Sequence, residues 1–281
     1  MKITFSSKPN GGRFYDRLGA VEFDSTLEIP DGKNPNQNAW LTITVNYTLN
    51  FADSKNLVPG LIVQQNGKYY AKPSRPTPNA QNVQIRDWDL ESRSAFVKRF
   101  AKGEDFWNYK FLLITPQDYD AFDYTSWGGP GWICRPNVIC LFRLKSGGSP
   151  NHLAINVVRK ERDDDFFRSD SGNYANTDVN NRTLWHELGH ALDQLHIRAL
   201  MGDPSCMVDH DGCYDEPPGV APNIQGHGTG LIPQNAKAWH ELIARHTETL
   251  QAKWQVSLAT NTPPRKLQMA FQVRGVMPKT W

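Results

Sequence analysis

The chain has 281 residues, enough for one large domain or two modest ones. Hydrophobic residues make up 39% of it and aromatics 11%, so a sizeable core can form. Lys and Arg (31) nearly balance Asp and Glu (29), and with a net charge of +2 and no basic run the composition argues against a dedicated nucleic-acid binder.

No apolar stretch approaches the roughly 18 residues needed to cross a bilayer, so no membrane span is expected. The opening residues, Met1-Lys2-Ile3-Thr4-Phe5-Ser6-Ser7, lack the apolar run of a secretory signal. Four cysteines fall in two close pairs, Cys134 with Cys140 and Cys206 with Cys213. Neither pair has the C-x-x-C spacing of a structural zinc site. Each suits a short disulfide loop, with free thiols as the alternative. Disulfides imply an oxidising compartment, so a secreted or extracellular protein is expected, by a route the N-terminus does not disclose.

In chain order, residues 1–72 form a β-rich N-terminal region. Residues 40–50 (WLTITVNYTLN) are heavy in Thr, Val, Ile and Tyr and predict a strand. Asn10-Gly11-Gly12 and Pro30-Asp31-Gly32 predict turns, and Gly67 separates short strands at 61–64 and 69–72. The proline-rich run 73–78 reads as a linker to a second domain, 79–281. There, residues 90–101 have helical spacing (Ala95, Phe96, Phe100) and 109–115 read as a buried strand. Residues 126–132 (SWGGPGW) form a glycine-rich loop, read as plain loop with a lid over a cleft as the alternative. Residues 138–144 and 153–159 predict strands joined through Gly147-Gly148-Ser149-Pro150. In the polar stretch 161–181, Asp163, Asp164, Asp165 and Asp170 offer hard oxygen ligands suited to Ca²⁺, but without EF-hand spacing; a solvated loop is the favoured reading.

Residues 183–196 then predict the strongest helix. Thr177, Asp178 and Asn180 supply N-cap candidates, and Leu184, Leu188, Ala191 and Leu195 form one apolar stripe. His186 and His190 are four apart and share a face, so two imidazoles can point at one metal. Glu187 lies to the side of that face, placed to act on a metal-bound water. H-E-x-x-H arises by chance in roughly one chain in a hundred of this length. His196 at the sixth residue beyond lowers that much further, which sets aside a helix with incidental surface histidines.

The pattern His186, Glu187, His190, His196 resembles the H-E-x-x-H-x-x-x-x-x-H signature of the metzincin zinc peptidases. The resemblance covers about residues 178–247. It implies an α+β fold: a metzincin-like mixed β-sheet with an active-site helix and a C-terminal helix. It implies Zn²⁺ held by His186, His190 and His196, Glu187 as general base, and a protein or peptide substrate laid along an antiparallel edge strand. Residues 153–158 (LAINVV) are the candidate for that strand. Two departures stand out. Asp193 replaces the clan's usual glycine at the bend, where the backbone must become left-handed. If the helix continued instead, Asp193 would share the ligand face and could replace His196, as could Asp211. Residues 222–228 (PNIQGHG) resemble the methionine turn beneath the metal, with Gln225 in the methionine's place; Met201 and Met207 are the other candidates. Residues 231–246 fit the C-terminal helix.

Weaker signals remain. His210 and His227 are candidates for groups near substrate, though lone histidines are more often ordinary surface or core residues. Tyr214 is a candidate phenolic donor to an oxyanion, with packing as the favoured alternative. His152, His240 and His246 are read as structural. A rival from another class keeps the zinc but not the hydrolysis: a secreted effector or binding protein whose metal is structural.

Overall fold

The computed structural model describes residues 2–7, 23–29, 38–73, 81–116, 118–119, 132–134, 137–180, 182–207, 210–259 and 276–278. The elements in order are β1 (Lys2–Ser7), β2 (Phe23–Glu28), β3 (Ala39–Ala52), β4 (Ile62–Gln65), β5 (Lys68–Ala71), β6 (Val83–Gln84), α1 (Leu90–Ala101), β7 (Phe111–Ile114), β8 (Trp132–Cys134), β9 (Val138–Ser146), β10 (Leu153–Val158), β11 (Asn173–Ala175), α2 (Arg182–His190), α3 (Ile197–Leu200), α4 (Lys237–Thr247), β12 (Gln255–Leu258) and β13 (Val276–Pro278). This is the α+β class expected, built on a mixed sheet.

The main sheet runs β1-β2-β3-β9-β7-β12, with β10 paired to β3 and β11 to β10. β3 organises it. Its 14 residues take β9 in parallel along Ala39–Tyr47, β2 in antiparallel along Trp40–Thr44, and β10 in parallel along Tyr47–Ala52. Its β-branched and aromatic residues suit such a strand, and burial alternates along its first half as one face turns inward. Strands from before and after the expected linker at 73–78 therefore lie side by side. Residues 74–80 themselves lie outside the described residues, as do the expected turns at 10–12 and 30–32 and the glycine-rich loop up to residue 131.

The short strands 62–65 and 68–71 close as a hairpin through Asn66 (φ 50°) and Gly67 (φ 75°). Two left-handed residues in succession are what a two-residue turn needs to match strand twist. α1 starts where expected. The Asp89 side chain accepts from the Ser92 amide at 2.7 Å, Glu91 lies in the first turn, and Lys98 and Arg99 lie in the last. Its Phe96 and Phe100 enter the core, with Phe100 at 4.9 Å from Tyr47 on β3.

One core cluster joins the sheet (Leu41, Ile43, Val45, Phe111, Phe142, Ile155) to α2 (Leu184, Leu188) and α4 (Trp239, Leu242, Ile243). Trp239 is fully buried and its indole N–H donates to the Leu141 carbonyl at 2.9 Å, pinning α4 to β9.

Two expectations need correction. β10 runs parallel to both of its neighbours, and β11 covers it over Asn156–Val158. It is therefore not an antiparallel edge strand, and a substrate chain could add only beside Leu153–Ile155. Cys140 is a buried free thiol, so the Cys134–Cys140 pair is not bridged; burial pushes that thiol's pKa well up. The acidic run is a loop exposed over Glu161–Asp164, as the favoured reading had it, and does not gather its carboxylates into a Ca²⁺ site. Asp164 pairs with Arg162 at 2.8 Å, and Asp170 accepts from the Gly172 amide in a turn. The Lys160 ammonium already supplies a cation to this loop, donating to the carbonyls of Asp163 and Asp165 at 2.6 Å each.

Candidate metal centre

α2 is seated by the turn that follows α1. A Cβ placed on Gly103 would lie 2.6 Å from Leu188 and 2.9 Å from Leu184, so the glycine lets these two leucines of the helix pack directly on this backbone. Phe106 stacks on Trp185 with centroids 4.6 Å apart.

The helix ends at His190. Its closing hydrogen bonds run from the Asp193 amide to the His190 carbonyl at 3.0 Å and from the Gln194 amide to the Gly189 carbonyl at 3.1 Å. With Asp193 at φ 55°, these form a Schellman motif whose left-handed residue is aspartate. The bend brings His196 back over the face that carries His186 and His190. Asp193 does not turn toward that face. Its carboxylate accepts from the Lys237 ammonium on α4, which also pairs with Glu241 at 3.0 Å. Burial raises the Asp193 carboxyl pKa, with Lys237 opposing. The side chain of Asp211, the other alternative ligand, lies outside the described residues.

His186, His190 and His196 thus converge, each offering a ring nitrogen within 4.8 Å of the others. They are almost wholly buried, at 6%, 2% and 3% exposure, and Glu187 is buried beside them in sequence. Two of the rings have a defined tautomer. His186 Nδ1 lies 2.8 Å from the Ile224 carbonyl and His190 Nδ1 lies 2.7 Å from the Gln194 carbonyl. A carbonyl only accepts, so each Nδ1 carries the proton and each Nε2 keeps its lone pair. Burial first, then neighbouring His190 and His196, hold the His186 pKa well below the usual imidazole value. Neutral imidazoles anchored through the second nitrogen are what metal ligation needs, so the triad can hold a metal ion.

The floor of the site is Gln225, fully buried. Its side-chain amide donates to the His186 carbonyl at 3.1 Å, and its own carbonyl accepts from the Ile197 amide at 2.9 Å, directly after His196. Gln225 therefore ties the helix of the first two histidines to the segment that carries the third. A Cβ on Gly189 would lie 1.8 Å from the Gln225 amide nitrogen and 3.1 Å from Trp107, so a larger residue here would have to displace the Gln225 amide from the His186 carbonyl. Met201 is 41% exposed and is not beneath the site; the Met207 side chain is outside the described residues.

A fully buried amide network supports the floor. Asn235 donates to Gln194 Oε1 at 2.7 Å, Gln194 donates to the Asn235 carbonyl at 2.7 Å, and Asn223 donates to Asn235 Oδ1 at 2.9 Å. Asn223 Oδ1 in turn accepts from the Gln225 amide at 2.9 Å. Sequence reasoning missed Gly189, Gln194, Asn235 and Lys237. Only Gly189 left a local signal, since glycine inside a short helix is unfavourable by about 1 kcal/mol and implies a close approach.

Tyr214 does reach the site. Its ring packs on His196 with centroids 3.7 Å apart and lies nearly parallel to His186 at 5.7 Å. His227 is exposed at the rim, 6.3 Å from the Tyr214 ring, with its backbone amide donating to Glu216. His210 lies instead beside Cys206, which is bridged to Cys213. His152 accepts from the Asn46 amide at 2.9 Å, His240 donates to the Trp254 carbonyl at 2.8 Å, and His246 meets Ser25 at 3.0 Å.

A recess of about 380 Å³ lined by Arg198, Met201, Asp203, Glu216, Pro217 and Pro218 opens beside the segment that follows His196. The Cys206–Cys213 bridge fits an oxidising compartment. No helix among the described residues is long and apolar enough to cross a membrane. Comparison of the chain with protein-family models, curated proteins and solved structures gives no match.

Proposed function

We propose that the protein is a secreted, zinc-dependent peptidase of metzincin type, hydrolysing peptide bonds in protein or peptide substrates. The observation that carries this reading is the convergence of His186, His190 and His196 on an H-E-x-x-H-x-x-x-x-x-H frame, with a left-handed bend at Asp193 delivering the third imidazole. A set of three imidazole nitrogens suits Zn²⁺, and three protein ligands leave the open position typical of catalytic sites. When bound, the ion supplies Lewis acidity toward a carbonyl oxygen and lowers the pKa of water.

The chain's own residues supply the rest. His186 and His190 are oriented by the Ile224 and Gln194 carbonyls, and His196 is held against Tyr214. Glu187 accepts the proton of the attacking water and returns it to the leaving amine.

Metal analysis together with a peptide-cleavage assay tests the reading. Chelation is expected to abolish cleavage and Zn²⁺ to restore it. Glu187→Gln is expected to keep the metal and lower turnover by about 10²–10⁴-fold, while His196→Ala loses the metal. Wild-type cleavage by Glu187→Gln would exclude hydrolysis through this site. An intact biological effect in that variant would instead identify a secreted effector or binding protein with structural zinc.

A further inference from the structure

The segment between His196 and Tyr214 forms a loop that leaves the third imidazole and returns an aromatic ring to it. α3 follows His196, a turn over Pro204–Met207 carries Cys206, and a turn over Asp211–Tyr214 carries Cys213. The second half of the loop is closed by the Cys206–Cys213 disulfide, whose Cα atoms are 5.6 Å apart. Both sulfurs are buried.

A third metal-ligating side chain sits on the same spot. His210 Nε2 lies 3.8 Å from Cys206 Sγ, and one ligand atom from each of Cys206, His210 and Cys213 lies within 4.8 Å of the other two. The ring is held over Gly212, where a Cβ would meet His210 Cε1 and Nδ1 at 3.2 Å, and the Cys213 amide donates to the His210 carbonyl at 2.9 Å. A tetrahedral ion with sulfur at about 2.3 Å and nitrogen at about 2.0 Å needs S···N edges of about 3.6 Å and an S···S edge of about 3.8 Å. The S···N edge is already near that length. Cleaving the disulfide frees the sulfurs to separate to the second.

We propose that Cys206, His210 and Cys213 form a second metal site, distinct from the three-histidine centre, that exists only in the reduced protein and takes a thiophilic divalent ion such as Zn²⁺. The chemistry balances with a dithiol or phosphine as the external reductant. A dithiol delivers two electrons and two protons to the Cys206–Cys213 bond, giving two thiols and becoming a disulfide itself. Metal binding then displaces the two thiol protons, leaving two thiolates and the neutral His210 as ligands and a fourth position for water. The same loop is thereby closed in either compartment, by a covalent bond under oxidising conditions and by an ion under reducing ones. The proposal does not rest on the peptidase reading.

The test uses the full chain, oxidised or reduced with a phosphine, equilibrated with Zn²⁺ alone and freed of excess. Reduced protein is expected to hold one more ion per chain than oxidised protein, whatever the three-histidine centre holds. Substituting Co²⁺ is expected to give a thiolate-to-metal charge-transfer band in the reduced form only. Cys206→Ser removes both the extra ion and the band. His210→Ala keeps the disulfide, folds in the oxidised form, and after reduction binds the extra ion at least tenfold more weakly. Equal metal content in oxidised and reduced wild type overturns the proposal. So does an extra ion that survives Cys206→Ser or is held as tightly by His210→Ala.

Discussion

Asp193 carries the geometry of the site in one backbone angle. A non-glycine residue in the left-handed region is disfavoured by roughly 1 kcal/mol or more, and here the side chain offsets that by pairing with Lys237. Asp193→Gly is expected to relax the backbone while losing the pair, leaving metal content unchanged. Asp193→Ala keeps the unfavourable angle without the pair and is expected to lower stability by about 1–3 kcal/mol in urea unfolding. A folded Asp193→Gly protein that had lost its metal would make Asp193 a ligand after all. The three histidines and the bend were legible in the sequence because they are local: a spacing of four, a spacing of six, and an aspartate where a left-handed residue is needed. Lys237 was not, because it lies 44 residues further along and only the packing of α4 brings it back.

The turn under the three histidines and the start of α4 behave as one element, joined by a network of amides as well as by the apolar core. Asn223, Gln225 and Asn235 are fully buried and Gln194 nearly so. Replacing Asn235 by Leu removes the partners of Gln194 Oε1 and Asn223 Nδ2 together. Each buried polar group left unmatched costs about 1–3 kcal/mol, so a loss of about 2–5 kcal/mol is expected. Because the network also positions Gln225 under His186, Zn²⁺ affinity should fall by about tenfold or more in the protein that remains folded. Titration of the variant with a competing chelator measures this, and wild-type affinity would show that the floor needs no such support. The sequence marked residues 222–228 as this floor but could not reveal the network. Asn and Gln in a loop read as solvated, and nothing local distinguishes an amide facing water from one facing another amide. The same limit hid the covering of β10 by β11, a three-residue strand inside a stretch whose composition reads as loop.

At the scale of the molecule, the first and last parts of the chain meet. Ser25 on β2 contacts His246 on α4 at 3.0 Å, across 221 residues of sequence. Burial lowers the His246 pKa to about 4, below its ordinary value near 6.5. The unfolded chain therefore takes up a proton first as pH falls, and stability is lost between about pH 6.5 and 4. His246→Gln retains hydrogen-bonding capacity without titrating, so the gap between wild type and variant in urea unfolding should differ between pH 7 and pH 4.5. A gap that stays constant would remove His246 as the source. The proline-rich run reads as a domain boundary because linkers have that composition, whereas the pairing of β3 with β9 and β10 is long-range and leaves no local trace. That pairing has a consequence in time. At ordinary elongation rates, β9 leaves the ribosome on the order of 5–20 s after β3 is complete. During that interval a strand of 14 residues, most of them β-branched or aromatic, lacks its native neighbours β9 and β10. Parallel pairings of such separation also form slowly once both partners exist. The nascent chain is thus most exposed to aggregation at its most central strand, and the yield of folded protein should depend on how well that strand is shielded during synthesis.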